Sequence, residues 1–541
     1  MSGLKLLINQ NISFLIIFLL FGIVFLVIGN ILYESINQLS IKSFLNDLMN
    51  FLPSISVTFF NNILSTICAI FIAFFITEYL YKKSSFSSSF LIVLISFPHI
   101  SYCIGITYLF ATSGLFARLF AIFYGNEVPF ISSRGDGLAN FIYIFSLALR
   151  EVPFLVLIGL SVWKKINPNQ IQQQVSVLGH SDVSTLMNCI FPLWIKSMGL
   201  PILIIIAFGF SNFEFSSILG PQFPNMINVK IIESWYSTNT ELMRHLNSLI
   251  MITILGVGLA ILLLFFLRKA IVSYFTNTRL FISINYNTLL IGKFFFLIVI
   301  LLFTAIIFIT FFLSISKSWF FPSIFPTTFT LKGWSYMIEN YSVLFFHSIF
   351  LSAIISIFNL IIMTYMIEIS QNIKNIFKML FLLSLMILVI PQNIMLMGIS
   401  NLMSSLPFFS IKTWFYFSLF IYILPYTYFM TKQSYDDFNP QYIENADVLG
   451  ITRLKSFFYI KLPIMTNDFL IIFGVSFSVC FYQFLQGIIV TKGEELLFNN
   501  EVLILFSGES ISTASSGSLL NFFPAGLLLT IIYIRYRYAR M

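Results

Sequence analysis

Six residues can do chemistry where their surroundings cannot. His99, Arg150, Glu151, Glu214, Gln392 and Gln483 all fall inside long apolar runs. A charge at the centre of a hydrocarbon-spanning helix costs ~2.5–3.5 kcal/mol on insertion scales, so an ionisable residue there has a partner or a wet surface. Arg150 and Glu151 are neighbours in sequence, and adjacent helical residues do not face each other. Arg150 is therefore expected to meet Glu214 from the next apolar run, or to line a wet cavity. His99 follows Pro98, and Gln392 follows Pro391. A proline frees a backbone carbonyl and kinks its helix, and polar side chains at such a kink can line a path for a solute. The plain alternatives are a buried ion pair that fixes packing and a hydrogen-bonded histidine. The chemistry on offer is thus binding and passage. An intramembrane acid, base and orienter (His99, Glu151, Glu214) can be imagined, but there is no nucleophile motif and no metal-ligand cluster. No catalytic residue, metal site or cofactor is expected.

The elements that must position these residues follow from composition. The chain has 541 residues, 58% hydrophobic and 9% charged, with 67 phenylalanines and a mean hydropathy of +0.94. A soluble surface needs far more polar residues than this. The expected class is an all-α polytopic membrane protein. About 20 apolar residues cross a bilayer as a helix, and twelve windows qualify or nearly do: 12–31, 55–76, 90–110, 138–163, 198–218, 246–267, 294–314, 343–367, 379–397, 413–431, 469–490 and 519–534. The first is long for a signal peptide and lacks a small-residue cleavage site, so it is expected as a retained span. Glu78 and Glu368 close two windows and are expected at the interface. Cys68, Cys103, Cys189 and Cys480 lie far apart in or beside apolar runs, as small buried hydrophobes do.

With the N-terminus placed inside, 19 of the 29 lysines and arginines fall in inside segments, nine outside, and Arg150 within a span. That is the positive-inside pattern. It puts both termini in the cytoplasm of a multi-pass inner-membrane protein, and it makes the formal charge of +8 a topology signal that calls for no nucleic-acid partner.

Two inside loops repeat each other. One reads NPNQIQQQVSVLGHSDVSTLMNCIFP from Asn167 to Pro192, the other NPQYIENADVLGITRLKSFFYIKLP from Asn439 to Pro463. Each opens on Asn-Pro, reaches Val-Leu-Gly at Gly179 or Gly450, and runs thirteen residues to a proline. Near the glycines the offset is 271, half the chain. A tandem duplication is expected: 1–267 and 294–541 as parallel six-helix repeats joined by a linker, 268–293, related by an axis along the membrane normal. Asn439 can cap a helix beginning at Pro440, Gly450 can end it in a left-handed conformation, and Thr452, like Ser181, can cap the next. Gln483 falls roughly where Glu214 does. A rigid, exposed element present twice suits a two-fold partner.

Glu444, Asn445 and Ala446, followed by Gly450 and by Ile460-Lys461-Leu462-Pro463, resemble the EAA loop of the membrane subunits of ATP-binding cassette (ABC) importers. Asparagine replaces the first alanine. The first copy keeps Gly179 and Pro192 but has glutamines, Gln172 to Gln174, where the acid belongs, so Gln173 stands for a docking helix without its charge contact. Phe97–His99, Thr112–Gly114 and Arg150–Phe154 are similar to Ynj-type fused permeases, described as thiamine transporters; the ferric-iron fused permeases are more distant. The resemblance implies a type I permease fold. It implies two copies of an ABC ATPase subunit docked on the coupling elements inside, a periplasmic solute-binding protein outside, and inward movement of a small solute. Thiamine, a related organic cation and ferric iron stay open. The chain has no Walker A pattern, as suits a permease whose motor is separate. The competing reading is a twelve-helix ion-coupled transporter, but the loop after the second window, YKKSSFSSSF, lacks the acidic and arginine pattern of the major facilitators.

Overall fold

The computed structural model describes residues 22–33, 35–37, 40–83, 91, 94–95, 97–125, 138–177, 179–277, 287–370, 374–406, 408–508 and 510–538. They are almost entirely helical; two short antiparallel strands, Ser316–Ser318 and Thr328–Phe329, are the exception among them. Seven helices are long and apolar enough to cross a membrane: Leu52–Lys82, Leu138–Ile166, Leu242–Phe275, Thr288–Ser314, Lys332–Ile369, Arg453–Phe481 and Ile511–Ile532. Three bent pairs bring the number to ten: Gly22–Asn37 with Ile41–Asn50 (97°), Asp182–Ser197 with Gly199–Ser211 (63°), and Lys378–Val389 with Gln392–Ser405 (104°). The 413–431 window lies within the Ile411–Asp437 helix. The 90–110 window falls partly outside the described residues; its described part contains the His99–Leu109 helix. The chain is an all-α polytopic membrane protein. Large apolar side chains face outward along many of these helices, among them Leu262, Phe265, Leu301 and Ile361, as lipid-facing surfaces require.

Two expected spans are broken away from any proline, where a continuous helix was expected. The 198–218 window stops at Asn212, whose side chain accepts from the Phe215 N–H at 3.0 Å and starts a new short helix, Phe213–Ile218. The 469–490 window stops at Tyr482 and resumes as a π-turn, Gln486–Val490. Breaks of this kind are tolerated at membrane depth where protein surrounds them.

Beyond Gly179 and Gly450 several elements of the two halves of the sequence start in the same register. Short helices begin at Asp182 and Arg453, π-turns at Leu186 and Phe457, and the following helices at Phe191 and Leu462. Further on, Ile227–Tyr236 corresponds to Phe498–Ser507, and helices start at Thr240 and Ile511. Every pair is 271 residues apart. Phe213 and Phe484 have the same separation, and their rings stack on each other, 6.2 Å between centroids and 3° from parallel.

Each half also lends a helix to the other. Gly105 lies seven residues after Pro98, and a methyl group there would collide with Ile306 of the Thr288–Ser314 helix. Gly398 lies seven residues after Pro391, and a methyl there would meet Val27 and Ile31 of the Gly22–Asn37 helix. Small residues at these two crossings let helices from opposite halves approach closely, as membrane helix pairs require.

Candidate functional site

Two places in the fold gather the candidate residues. The first is the pair of helix–glycine–helix elements. Pro168–Val177 and Gln441–Val448 are both helices. Asn439 Oδ1 accepts from the Gln441 N–H at 3.1 Å, but the second helix starts at Gln441, one residue later than expected, and its N-cap is Pro440, which makes no side-chain cap bond. Gly179 and Gly450 both take left-handed backbone, φ +82° and +72°. The residue after each glycine donates back to the carbonyl five positions earlier, His180 to Val175 at 3.4 Å and Ile451 to Ala446 at 3.0 Å. This is the Schellman closure, and it needs the glycine's freedom. Ser181 caps the next helix by accepting from the Ser184 N–H at 3.2 Å. Thr452 occupies the same place without a side-chain cap bond, which corrects that expectation. The π-turns were not foreseen. The Phe191 N–H donates to Leu186, and the Leu462 N–H to Phe457. A widened turn gives room for the ring of the proline that follows each, Pro192 or Pro463.

Gln173, Glu444 and Asn445 point to solvent, while Ala446 is buried. Apolar side chains accompany them on the outside: Val177 is 86% exposed, its counterpart Val448 87%, and Leu449 77%. The two elements share one end of the bundle, as a chain of contacts shows. Phe191, which follows the first element's π-turn, has its ring 4.8 Å from that of Phe74, one turn before Glu78. Glu78 accepts from Thr288 at 3.0 Å, where the Thr288–Ser314 helix begins. At the far end of that helix Ser314 accepts from Trp334 at 3.2 Å. The Lys332–Ser370 helix returns, and Glu368 pairs with Lys461 of the second element at 2.8 Å. Lys461 is buried, with its ammonium 4.7 Å from the Tyr435 ring centre. In the first half the equivalent of Lys461 is Ile190, fully buried. Aromatic packing takes over there: Phe74 lies 4.8 to 5.3 Å from Phe191, Trp163 and Trp194.

The second place is the polar cluster between the halves. Arg150 and Glu151 are buried. Among the described residues Arg150 forms no ion pair with Glu214 or Glu151. Instead its Nη2 donates to the carbonyls of Phe97 (2.8 Å) and Ile95 (3.3 Å). These carbonyls precede Pro98, where the helix breaks and restarts at His99. A guanidinium at such a carbonyl-rich helix end meets the negative pole of the dipole. The expected Arg150–Glu214 pair is thus replaced by a cap. His99 sits 5.0 Å from the Phe208 ring, and its Nδ1 is buried with no hydrogen-bond partner among the described residues.

Across the interface, Gln392 Nε2 donates to Gln483 Oε1 at 2.8 Å, and Gln486 Nε2 donates to the same oxygen at 2.8 Å. Gln486 was missed because it lies in a π-turn read as the end of a span. By the 271 offset Gln483 matches Asn212, and Glu214 matches Leu485, which refines the expected correspondence by two residues. Tyr422, matched to Arg150 through Pro153 and Pro425, lines a cleft with Tyr426, Gln392, Phe208 and Ser211. The cleft has about 20 Å³, room for a single water. Among the described residues no three His, Cys, Asp or Glu side chains are grouped to hold a metal.

No protein-family model matches the chain, and no solved structure matches it. Among curated proteins it is similar to the inner membrane ABC transporter permease protein YnjC of Escherichia coli (strain K12), with 30% identity over 90 residues. That stretch is 17% of this chain and 18% of the relative, so the chain matches under a fifth of the relative's length.

Proposed function

We propose that this chain is the permease subunit of an ABC importer. It carries a small solute from periplasm to cytoplasm, with ATP hydrolysed by separate subunits. The single observation that carries the reading is the pair of exposed elements at one end of the bundle. Both are closed by left-handed glycines, and they sit 271 residues apart. The partial similarity to an ABC permease supports the same reading. In it the chain is a tandem duplication of two six-helix repeats, with both termini cytoplasmic, and the elements are coupling levers. Glu444, Asn445, Ala446, Gly450 and Pro463 form one lever, and Gln173, Gly179 and Pro192 the other. Each receives one ATPase subunit, and a periplasmic solute-binding protein delivers the solute to the opposite face.

The stacked Phe213 and Phe484 rings mark the axis about which the halves rock. His99, Arg150, Glu151, Glu214, Gln392 and Gln483 line the interface that the rocking opens. With a cleft large enough for only one water, passage of any solute requires that opening. Thiamine, a related organic cation and ferric iron are the solutes the family resemblance offers; a binding assay on the partner solute-binding protein chooses among them. The test of the class is reconstitution. ATP-driven uptake should require added ATPase subunits and survive dissipation of ion gradients. Uptake that persists without ATP and collapses with the gradient overturns the reading.

A further inference from the structure

Just beyond the first lever the chain bends by 63° between Asp182–Ser197 and Gly199–Ser211. The bend opens a cavity of about 320 Å³ toward the membrane-facing side of the bundle, within the size range of small-molecule sites. Ile67 and Phe71, Ile202 and Leu203, and Ile261 and Phe265 wall it from three helices, and among the described residues Arg268 is the one polar side chain in the lining. Gly199 makes the room: a Cβ there would meet the Arg268 guanidinium.

Arg268 is the first charge after the 246–267 apolar run, which sets it at headgroup depth. Among the described residues it has no carboxylate in ion-pair range, and its guanidinium lies 5.5 Å from the Phe265 ring centre. Such a site is amphiphilic. One guanidinium and an otherwise apolar wall give a polar solute almost nothing to bond, and give a free anion a single contact. A molecule with an apolar chain and an anionic head satisfies both parts, and basic pockets between membrane helices hold lipid headgroups in this way.

We propose that this cavity holds an acyl chain of an anionic phospholipid whose phosphate rests on Arg268. The site belongs to the first half alone. The equivalent of Gly199 is Leu470, within the unbent Arg453–Phe481 helix, and the equivalent of Arg268 is Ala539. Phe191 and Ile195, which also line the cavity, are part of the first lever's trailing segment, so a bound lipid braces that lever.

The test is lipid retention, read by mass spectrometry after extraction from nanodiscs holding phosphatidylglycerol and phosphatidylcholine in equal amounts. The full chain should keep phosphatidylglycerol over phosphatidylcholine by about tenfold. Arg268→Gln, a change at the bundle's edge, should bring the two near parity. Lys269→Gln, one residue away and outside the lining, should leave the preference intact. Leu203→Trp, which fills the cavity, should lose both lipids. Equal retention by the unaltered chain, an unchanged preference in Arg268→Gln, or displacement of the lipid by inorganic phosphate alone would overturn the proposal. Arg268→Gln decides the matter even if Leu203→Trp does not fold.

Discussion

The two halves of the sequence share a backbone pattern and differ in its chemistry. Both present a short exposed helix, a left-handed glycine, a second short helix, a π-turn and a proline, in one register. In the second half the element carries Glu444 and is tied to the bundle by Lys461 and Glu368. In the first half glutamines stand in the acid's place, and the tie is an aromatic cluster around Phe74. The interface divides the same way. The first half contributes Arg150 capping a broken helix, with two carboxylates nearby; the second contributes three bonded glutamines and a tyrosine, Tyr422, in the arginine's place. Backbone geometry is common to both halves while side-chain charge is not. In the proposed function geometry is what a rigid lever needs, and charge is free to differ where a solute or a partner would meet each half differently.

The comparison breaks most visibly at the glycines. A β-branched residue at φ near +70 to +80° is a steric outlier, costing about 1–3 kcal/mol. Gly450→Val and Gly179→Val should each cut association with the ATPase subunit about tenfold in co-purification while membrane insertion stays normal. A harmless Gly179→Val beside a disabling Gly450→Val would show that only the second element is a lever.

Smaller effects sharpen the contrast. Arg150→Met leaves the Ile95 and Phe97 carbonyls without their donor, at about 1–3 kcal/mol for an unsatisfied buried group. Thermal unfolding in detergent should fall accordingly, and Arg150→Gln, which keeps donors, should lose less. Lys461→Met breaks a pair with one buried and one half-exposed partner. The loss should lie between the ~1 kcal/mol of a surface pair and the ~3–5 kcal/mol of a fully buried one. Glu78→Gln, at an i,i+4 pair with Lys82, should cost less than that in the same assay. Smallest is the charge contact itself: Glu444→Lys should weaken ATPase binding about fivefold, and Gln173→Lys less.

Much of this was legible in the sequence, because the signals were local. Apolar runs of bilayer length located most of the spans, and Asn-Pro and Val-Leu-Gly located both helix–glycine–helix elements, down to the left-handed glycines. The less legible features depend on neighbours that no local pattern names. Arg150 was expected opposite a carboxylate because charge suggests charge. The stronger demand came from carbonyls freed one helix away by Pro98, which only the packing brings within 2.8 Å. The Lys461–Glu368 pair joins positions 93 residues apart. The break at Asn212 did have a signal: a capping residue inside an apolar window, overridden there by hydropathy.

The central claim is that two levers on one face of the bundle each hold a separate ATPase. Its most direct test is the mass of the complex purified from its native membrane, with the chain itself as bait. The account predicts two ATP-hydrolysing subunits per chain, lost together when Val177 and Val448 are both changed to aspartate. A chain that purifies with no nucleotidase, or whose nucleotidase stays bound through that double change, would contradict it.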